Sequence, residues 1–271
     1  MLWIALILAN ADAPRCDRPL DTRAVQLSDR STTSSCVDAN GVPQGPMWNV
    51  AADGRLRWVE DYRDGTPEGL WMRFSREGEP LERRQYRAGQ LDGPWEQWFP
   101  DGRKRLVGAL VRGKKNGPFE SWHRGGERAF SASFAEGRPD GEWQLFNRKG
   151  KAVARCGYAK GSLTLNRVLA LERPLERVHV VERLSEVKSP ARFCYERELA
   201  VRPELARGGA VEFSFLVTPV GLTAEVRLTN STLHDPAVER CIGDVLQQLS
   251  FPQLVTCELV EVAFPFEFSA R

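Results

Sequence analysis

Between residues 45 and 163 the apolar positions follow one period of 24 residues. Trp71, Trp95, Phe119 and Trp143 form one column of that lattice. Phe74, Trp98, Trp122 and Phe146 stand three residues after them. Tyr62, Tyr86, Leu110, Phe134 and Tyr158 form a third column at the same step. Glycines keep the period too: Gly54, Gly78, Gly102, Gly126 and Gly150 make one series, with two further series at 45–141 and 65–161. Such self-similarity predicts a repeat architecture in which each unit buries its apolar face only against its neighbours. Each unit reads as strand, turn, strand, turn. Leu70–Phe74 and Leu81–Tyr86 are strands of one unit, Glu77-Gly78 is the turn between them, and Arg87-Ala88-Gly89 leads into the next. Asp101-Gly102 carries the strongest hairpin signal. Glycine suits these turns because it accepts positive φ without steric cost. The lattice aromatics, Trp71, Phe74, Tyr86, Trp95, Trp98, Phe119, Trp122, Phe134, Trp143, Phe146 and Tyr158, are the expected core. The first unit is worn, with Trp48 displaced by one and Val50 in place of an aromatic, as befits a capping repeat.

Beyond residue 163 the pattern changes class. Residues 164–189 lack the lattice and read as a connector, with a strand or short helix around Val178–Val181. Arg192–Arg202 fits a short helix closed by Pro203. Val211, Phe213, Phe215 and Val217 alternate with their neighbours, then Pro219-Val220-Gly221 turns the chain, and Ala224, Val226 and Leu228 alternate again. Asp235-Pro236 opens a helix as cap and first-turn proline. Val238, Cys241, Ile242, Val245, Leu246 and Leu249 form its apolar stripe. Val260 to Phe268 alternates as a last strand, and Pro265 within it argues for an edge or a bulge. The expected fold is thus an all-β hairpin-repeat array followed by a small α+β domain of three antiparallel strands and two helices.

Composition narrows the class. Apolar residues are 42% and charged residues 27%, the balance of a folded chain of about two domains. Net charge is +2, so no global field favours nucleic acid. Three histidines leave little for a histidine-based metal or acid–base site. No nucleophile elbow, phosphate loop, zinc-protease helix or calcium loop occurs, so no catalytic residue, metal or cofactor is expected. Ser231, His234 and Asp235 crowd one helix start and read as capping, because a working triad gathers its members from separate elements.

Leu2–Ala9 is an unbroken apolar run followed by two A-x-A sites ending at Ala11 and Ala13. It reads as a signal peptide over residues 1–13, the alternative being an ordinary first strand or a buried N-terminal segment. Eight apolar residues cannot span a bilayer, so no stable span is expected after cleavage. Six cysteines without C-x-x-C or zinc spacing point to disulfides in a periplasmic or secreted protein. Cys16 and Cys36 bracket a polar segment (14–44) that a crosslink would order. Cys194 and Cys241 lie on two helices that pack on one sheet face, so they are expected to pair. Cys156 and Cys257 remain, and can meet only if the two domains dock.

Glu68-Gly69-Leu70-Trp71-x-x-Phe74, Asp92-Gly93-Pro94-Trp95-x-x-Trp98 and Asn116-Gly117-Pro118-Phe119 resemble MORN-type repeats, in the variant of the bacterial YwqK-like antitoxin group, over about 45–163. That resemblance implies an array of hairpins serving as an interaction surface. Cys194-Tyr195, Val211-x-Phe213-x-Phe215, Asp235-Pro236-x-Val238-x-x-Cys241, Phe251-Pro252 and Phe264-Pro265-Phe266-x-Phe268 are similar to the AgmX/PglI C-terminal domain of myxobacteria, itself like the TonB C-terminal fold, over about 190–271. That resemblance implies an envelope protein of a myxobacterium-like organism. It also implies a partner protein or peptide that adds a strand to the C-terminal sheet edge. The expected acceptor is the outer strand lacking Pro265, or residues 259–262 of the last strand. The function expected is a non-enzymatic envelope scaffold. The alternative is a glycan- or peptidoglycan-binding module, which a row of solvent-facing Trp rings would favour.

Overall fold

The computed structural model describes residues 13–17, 19–26, 30–169, 177–199, 202–254 and 256–269. The apolar run of the expected signal peptide lies outside the described residues. Sixteen strands form one antiparallel sheet of hairpins, and three more form a second sheet. The described residues divide into two compact units, 1–112 with 121–126, and 113–120 with 127–271.

In the first unit, β1 (Asp21–Gln26), β2 (Thr32–Val37), β3 (Pro43–Val50), β4 (Leu56–Arg63), β5 (Thr66–Phe74), β6 (Pro80–Arg87), β8 (Gly93–Trp98) and β9 (Lys104–Val111) neighbour one another in chain order, with the two-residue β7 (Gln90–Leu91) beside β6. Cys16 and Cys36 are disulfide-bonded, with Cα atoms 5.4 Å apart. They join a core of Trp48, Leu56, Val59, Met72 and Phe74.

Two kinds of turn alternate along the array, and the sequence distinguishes them less well than the backbone does. Asp64, Ala88, Arg112, Glu136 and Lys160 all have φ between 47° and 50°, and each precedes a glycine of positive φ. Two consecutive positive-φ residues make a primed two-residue hairpin turn, whose twist matches the flanking strands. At Asp101-Gly102 only the glycine is left-handed. Gly102 N–H donates to the Phe99 carbonyl at 2.9 Å and Phe99 N–H to the Arg103 carbonyl at 2.8 Å, a longer turn ending on a glycine bulge. The lattice turn glycines Gly54, Gly78 and Gly150 repeat that pattern. The primed turns also stitch successive units. Gly65 and Gly89 donate to the carbonyls of Pro43 and Pro67, each at 2.9 Å. The side chain before the first lattice glycine completes three of these primed turns. Glu68 accepts from Ala88 N–H at 2.6 Å, Asn116 from Glu136 at 3.2 Å and Asp140 from Lys160 at 3.1 Å.

The second unit holds β10 (Lys114–Lys115), most of β11 (Gly117–Trp122), β12 (Arg128–Ala135), β13 (Arg138–Pro139), β14 (Gly141–Phe146), β15 (Ala152–Ala159) and β16 (Ser162–Val168), then the C-terminal elements. Phe119, Phe134, Trp143 and Tyr158 meet in series, the first pair edge-on and the others tilted, with ring centroids 5.1, 4.9 and 4.8 Å apart. All four are buried, as are Tyr86, Trp95 and Phe74. Trp98, Trp122 and Phe146 are only half-buried, against expectation. Each is the last residue of its strand. The register slips just before Trp98 and Phe146, so these rings sit beside a turn. Trp71 is half-buried because the Arg84 guanidinium covers its ring at 3.7 Å.

The C-terminal sheet has the order β18 (Thr223–Ser231), β17 (Gly209–Val217), β19 (Val260–Phe268). Helix α1 (Arg177–Leu199) and helix α2 (Pro236–Gln247) contribute to one core with it. α1 corrects the expected 164–189 connector and short 192–202 helix. β16 occupies the start of that connector, and the helix runs straight through Pro190. An internal proline costs about 3 kcal/mol. The stripe Leu184, Val187, Ala191, Cys194 and Tyr195 stays buried across it, so packing outweighs the lost hydrogen bond. Pro203 instead begins a short 3-10 turn, Pro203–Arg207. α2 starts as expected, with Asp235 accepting from Ala237 and Val238 N–H at 3.0 and 2.9 Å. Ser231 contacts Glu239 at 2.5 Å, so its hydroxyl completes this helix start.

Candidate peptide-docking edge

Nine consecutive pairs join β17 to β19, from Gly209 opposite Phe268 to Val217 opposite Val260. The register does not slip at Pro265, which faces Glu212, so the proline marks an edge and not a bulge. Pro265 has no N–H to give, and an unbroken ladder leaves only one position for it: its nitrogen points away from β17. The Glu212 carbonyl accepts from Thr229 of β18 at 3.0 Å, which agrees with that orientation. Strand alternation then turns the N–H groups of Glu261, Ala263 and Glu267 outward, with the missing donor between the last two.

The other outer strand, β18, is the first of the two expected acceptors, and part of its outer edge is occupied. Glu225 N–H donates to the Gly137 carbonyl at 3.3 Å, and Arg138 lies 4.0 Å from the Glu225 carboxylate. Within the second unit, the primed turn before β13 therefore covers the start of the β18 edge at its third residue, while Arg227–Asn230 stay exposed. β19 has β17 as its one strand neighbour among the described residues. Its first two residues, Val260 and Glu261, are exposed.

Several links hold this edge in place. Cys194 and Cys241 pair across the two helices, with Cα atoms 5.8 Å apart. Cys156 of β15 pairs with Cys257, three residues before β19, at a Cα separation of 5.5 Å. The end of the array therefore docks on the C-terminal sheet within the second unit, the condition required for that bridge. Tyr158 Oη donates to the Cys257 carbonyl at 2.5 Å, and burial raises its pKa. Gln253 donates to the Ala129 carbonyl at 2.9 Å.

The same docking surface contains a residue that pattern reading passed over. Lys115 is fully buried. Its Nζ donates to the Gln247 carbonyl at 2.6 Å, to Gln247 Oε1 at 3.2 Å and to Thr223 Oγ1 at 3.3 Å. Burial pulls the ammonium pKa down to about 7. The signal was a break in the lattice, since Leu91 and Pro139 hold the equivalent positions.

A second break lies in the first unit. Glu82 and Arg84 are buried where the next unit has Leu106 and Gly108. Glu82 Oε1 accepts from Trp95 Nε1 at 2.6 Å, Gln97 at 3.0 Å and Arg84 at 3.0 Å. Burial opposes ionisation most strongly, yet Arg84 and these donors prevail and hold Glu82 at about 2. Both clusters are internally satisfied and bear on stability.

Among the described residues no group of side chains has metal-binding spacing, and no helix is long and apolar enough to cross a membrane. No family model matches the chain, and no curated protein does. Among solved structures the chain is similar to one described as "Crystal structure of GtfA/B complex bound to UDP and GlcNAc". That match has 11% identity and a TM-score of 0.16, over 40% of this chain and 23% of that one, and carries no argument.

Proposed function

We propose that the chain is a non-enzymatic interaction scaffold of the cell envelope, exported to the periplasm or beyond, whose C-terminal sheet takes an extended peptide from a partner protein along β19. The observation that carries this reading is the nine-pair ladder ending in an open outer edge, held by two disulfides. Main-chain donors and acceptors along such an edge supply affinity, and alternate side chains supply specificity. Three disulfides among the described residues fit an oxidising compartment. The likeness of the motifs to MORN-type repeats and to the AgmX/PglI C-terminal domain agrees with an interaction role. The glycan alternative receives less support, because the described tryptophans are buried or half-buried.

The test is capture from envelope extracts with the full oxidised chain and an Ala263→Pro variant. That proline removes one outward donor while sparing the β17 ladder. A partner captured by the parent and lost by the variant is the expected result. Equal capture, with hydrogen exchange at Glu261 and Ala263 unchanged by the partner, would refute the reading.

A further inference from the structure

β16 ends the large sheet, and β15 is its one strand neighbour among the described residues. All seven of its residues are exposed. Leu163, Leu165, Val168 and Leu169 expose 42, 46, 38 and 47% of their surface, a cluster within seven residues of one another. A long, apolar, open edge is the feature that folded proteins ordinarily blunt with lysine, proline or a covering element.

The backbone shows which groups this edge offers. Leu169 N–H donates inward to the Val153 carbonyl at 2.7 Å. Alternation turns the N–H and C=O groups of Val168 and Asn166 outward. Leu165, Arg167 and Leu169 share one face, since side chains repeat every second residue. Gly157 stands opposite Leu165, and a Cβ there would lie 2.9 Å from the Leu165 Cβ, so Leu165 lies close over bare backbone. Arg155 stands directly opposite Arg167. Like charges facing across strands are destabilising. A carboxylate on the far side of Arg167 would offset that repulsion.

We propose that the outer edge of β16 is a second docking site, distinct from β19, which takes an extended segment of a partner protein reading apolar–acidic–apolar at alternate positions. Asn166 and Val168 form the main-chain hydrogen bonds of the added ladder. Arg167 falls between them at a non-hydrogen-bonded position, where facing side chains come closer. The partner's carboxylate meets Arg167 and Arg155 there, and its apolar residues cover Leu165 and Leu169.

The probe is a fluorescein-labelled heptapeptide with glutamate at its centre, valine two positions to either side and threonine elsewhere. Anisotropy is read against the full oxidised chain. Saturable binding is expected, at least tenfold weaker when the central glutamate is replaced by lysine. Arg167→Glu should invert that preference. Val168→Pro should abolish binding without lowering the melting temperature, because its amide points away from β15. Ala263→Pro should leave binding unchanged, which separates this site from the β19 edge. The proposal is overturned if both peptides bind alike to the parent chain, or if Arg167→Glu keeps the parent's preference. A chain that sediments as a dimer which Val168→Pro dissociates would also overturn it, assigning the edge to a second copy.

Discussion

Lys115 gives the sharpest test of how the array is joined to the C-terminal sheet. Its ammonium is buried on three neutral oxygens, those of Gln247 and Thr223. Desolvation lowers its pKa from 10.5 to about 7 in the folded chain. The unfolded chain keeps the ordinary value, so above about pH 7 the unfolded state binds more protons than the folded one. Stability therefore rises with pH between about 7 and 10.5 and is flat below that window. Across that whole window the gain is about 5 kcal/mol, of which about 2 kcal/mol is reached by pH 8.5. Lys115→Met removes the titration and resembles Leu91 at the equivalent lattice position. The Gln247 backbone carbonyl it leaves still accepts from Thr223 at 3.1 Å, while Gln247 Oε1 loses the Lys115 donor, a cost set against the removal of a buried charge. At pH 6 the Met variant should equal or exceed the parent in urea denaturation. By pH 8.5 the difference between the two should have moved about 2 kcal/mol in the parent's favour. Parallel pH curves for parent and variant would refute the reasoning. So would a labelled Lys115 amine that titrates near its ordinary value.

Other expectations follow from the same contacts. Glu82→Gln leaves the Arg84 charge buried without its counter-ion and should cost about 3–5 kcal/mol in urea melts. Glu82→Leu combined with Arg84→Gly removes both charges and should recover part of that loss, offset by taking this acceptor from Trp95 and Gln97. Because Glu82 titrates at about 2 when folded, its contribution is complete above about pH 4.5. About 3 kcal/mol of it should disappear on acidification to pH 2, a loss that Glu82→Leu does not share. Ala88 holds φ at 47°, so Ala88→Gly should raise stability by up to about 1 kcal/mol, whereas Gly89→Ala should lower it. Opening the Cys156–Cys257 bridge, with a separation of 101 residues, should cost about 4–5 kcal/mol. Opening Cys16–Cys36, with a separation of 20, should cost about 3 kcal/mol, and paired Cys→Ala melts compare the two.

Much of the architecture was legible because it rests on periodicity. A 24-residue lattice with glycine at each turn admits few structures other than stacked hairpins, and the alternation in residues 211–217, 224–228 and 260–268 marked all three C-terminal strands. Three features were not legible, each for a local reason. Pro190 reads as a boundary in sequence, yet the buried stripe from Leu184 to Tyr195 carries α1 past it. The Asp101-Gly102 pair looks like a two-residue turn, but the strained position belongs to Ala88 and its equivalents, whose side chains give no warning. The aromatics Trp98, Trp122 and Phe146 obey the lattice but end their strands, so period alone overstated their burial.

The docking edge depended on a contact that no pattern contains. From sequence, the expected acceptor is either the outer strand lacking Pro265 or residues 259–262 of the last strand. Within the second unit, the Gly137 carbonyl on Glu225 covers part of the first of these and leaves the second open. Gly137 lies in a primed turn, and such turns expose carbonyls at regular intervals along the repeats. In the second unit one of these carbonyls meets the β18 edge, while Lys115, 22 residues earlier and hydrogen-bonded through its own carbonyl to Gly137, reaches Gln247 and Thr223. The repeat that blunts one edge is therefore hydrogen-bonded directly to the one that carries the buried lysine. It follows that loosening the Lys115 contact should expose the β18 edge as well. Hydrogen exchange at the Glu225 amide should accelerate in Lys115→Glu, which buries a carboxylate against the same acceptor oxygens. An unchanged Glu225 rate, in a variant whose global stability has fallen, would show that the two contacts open independently.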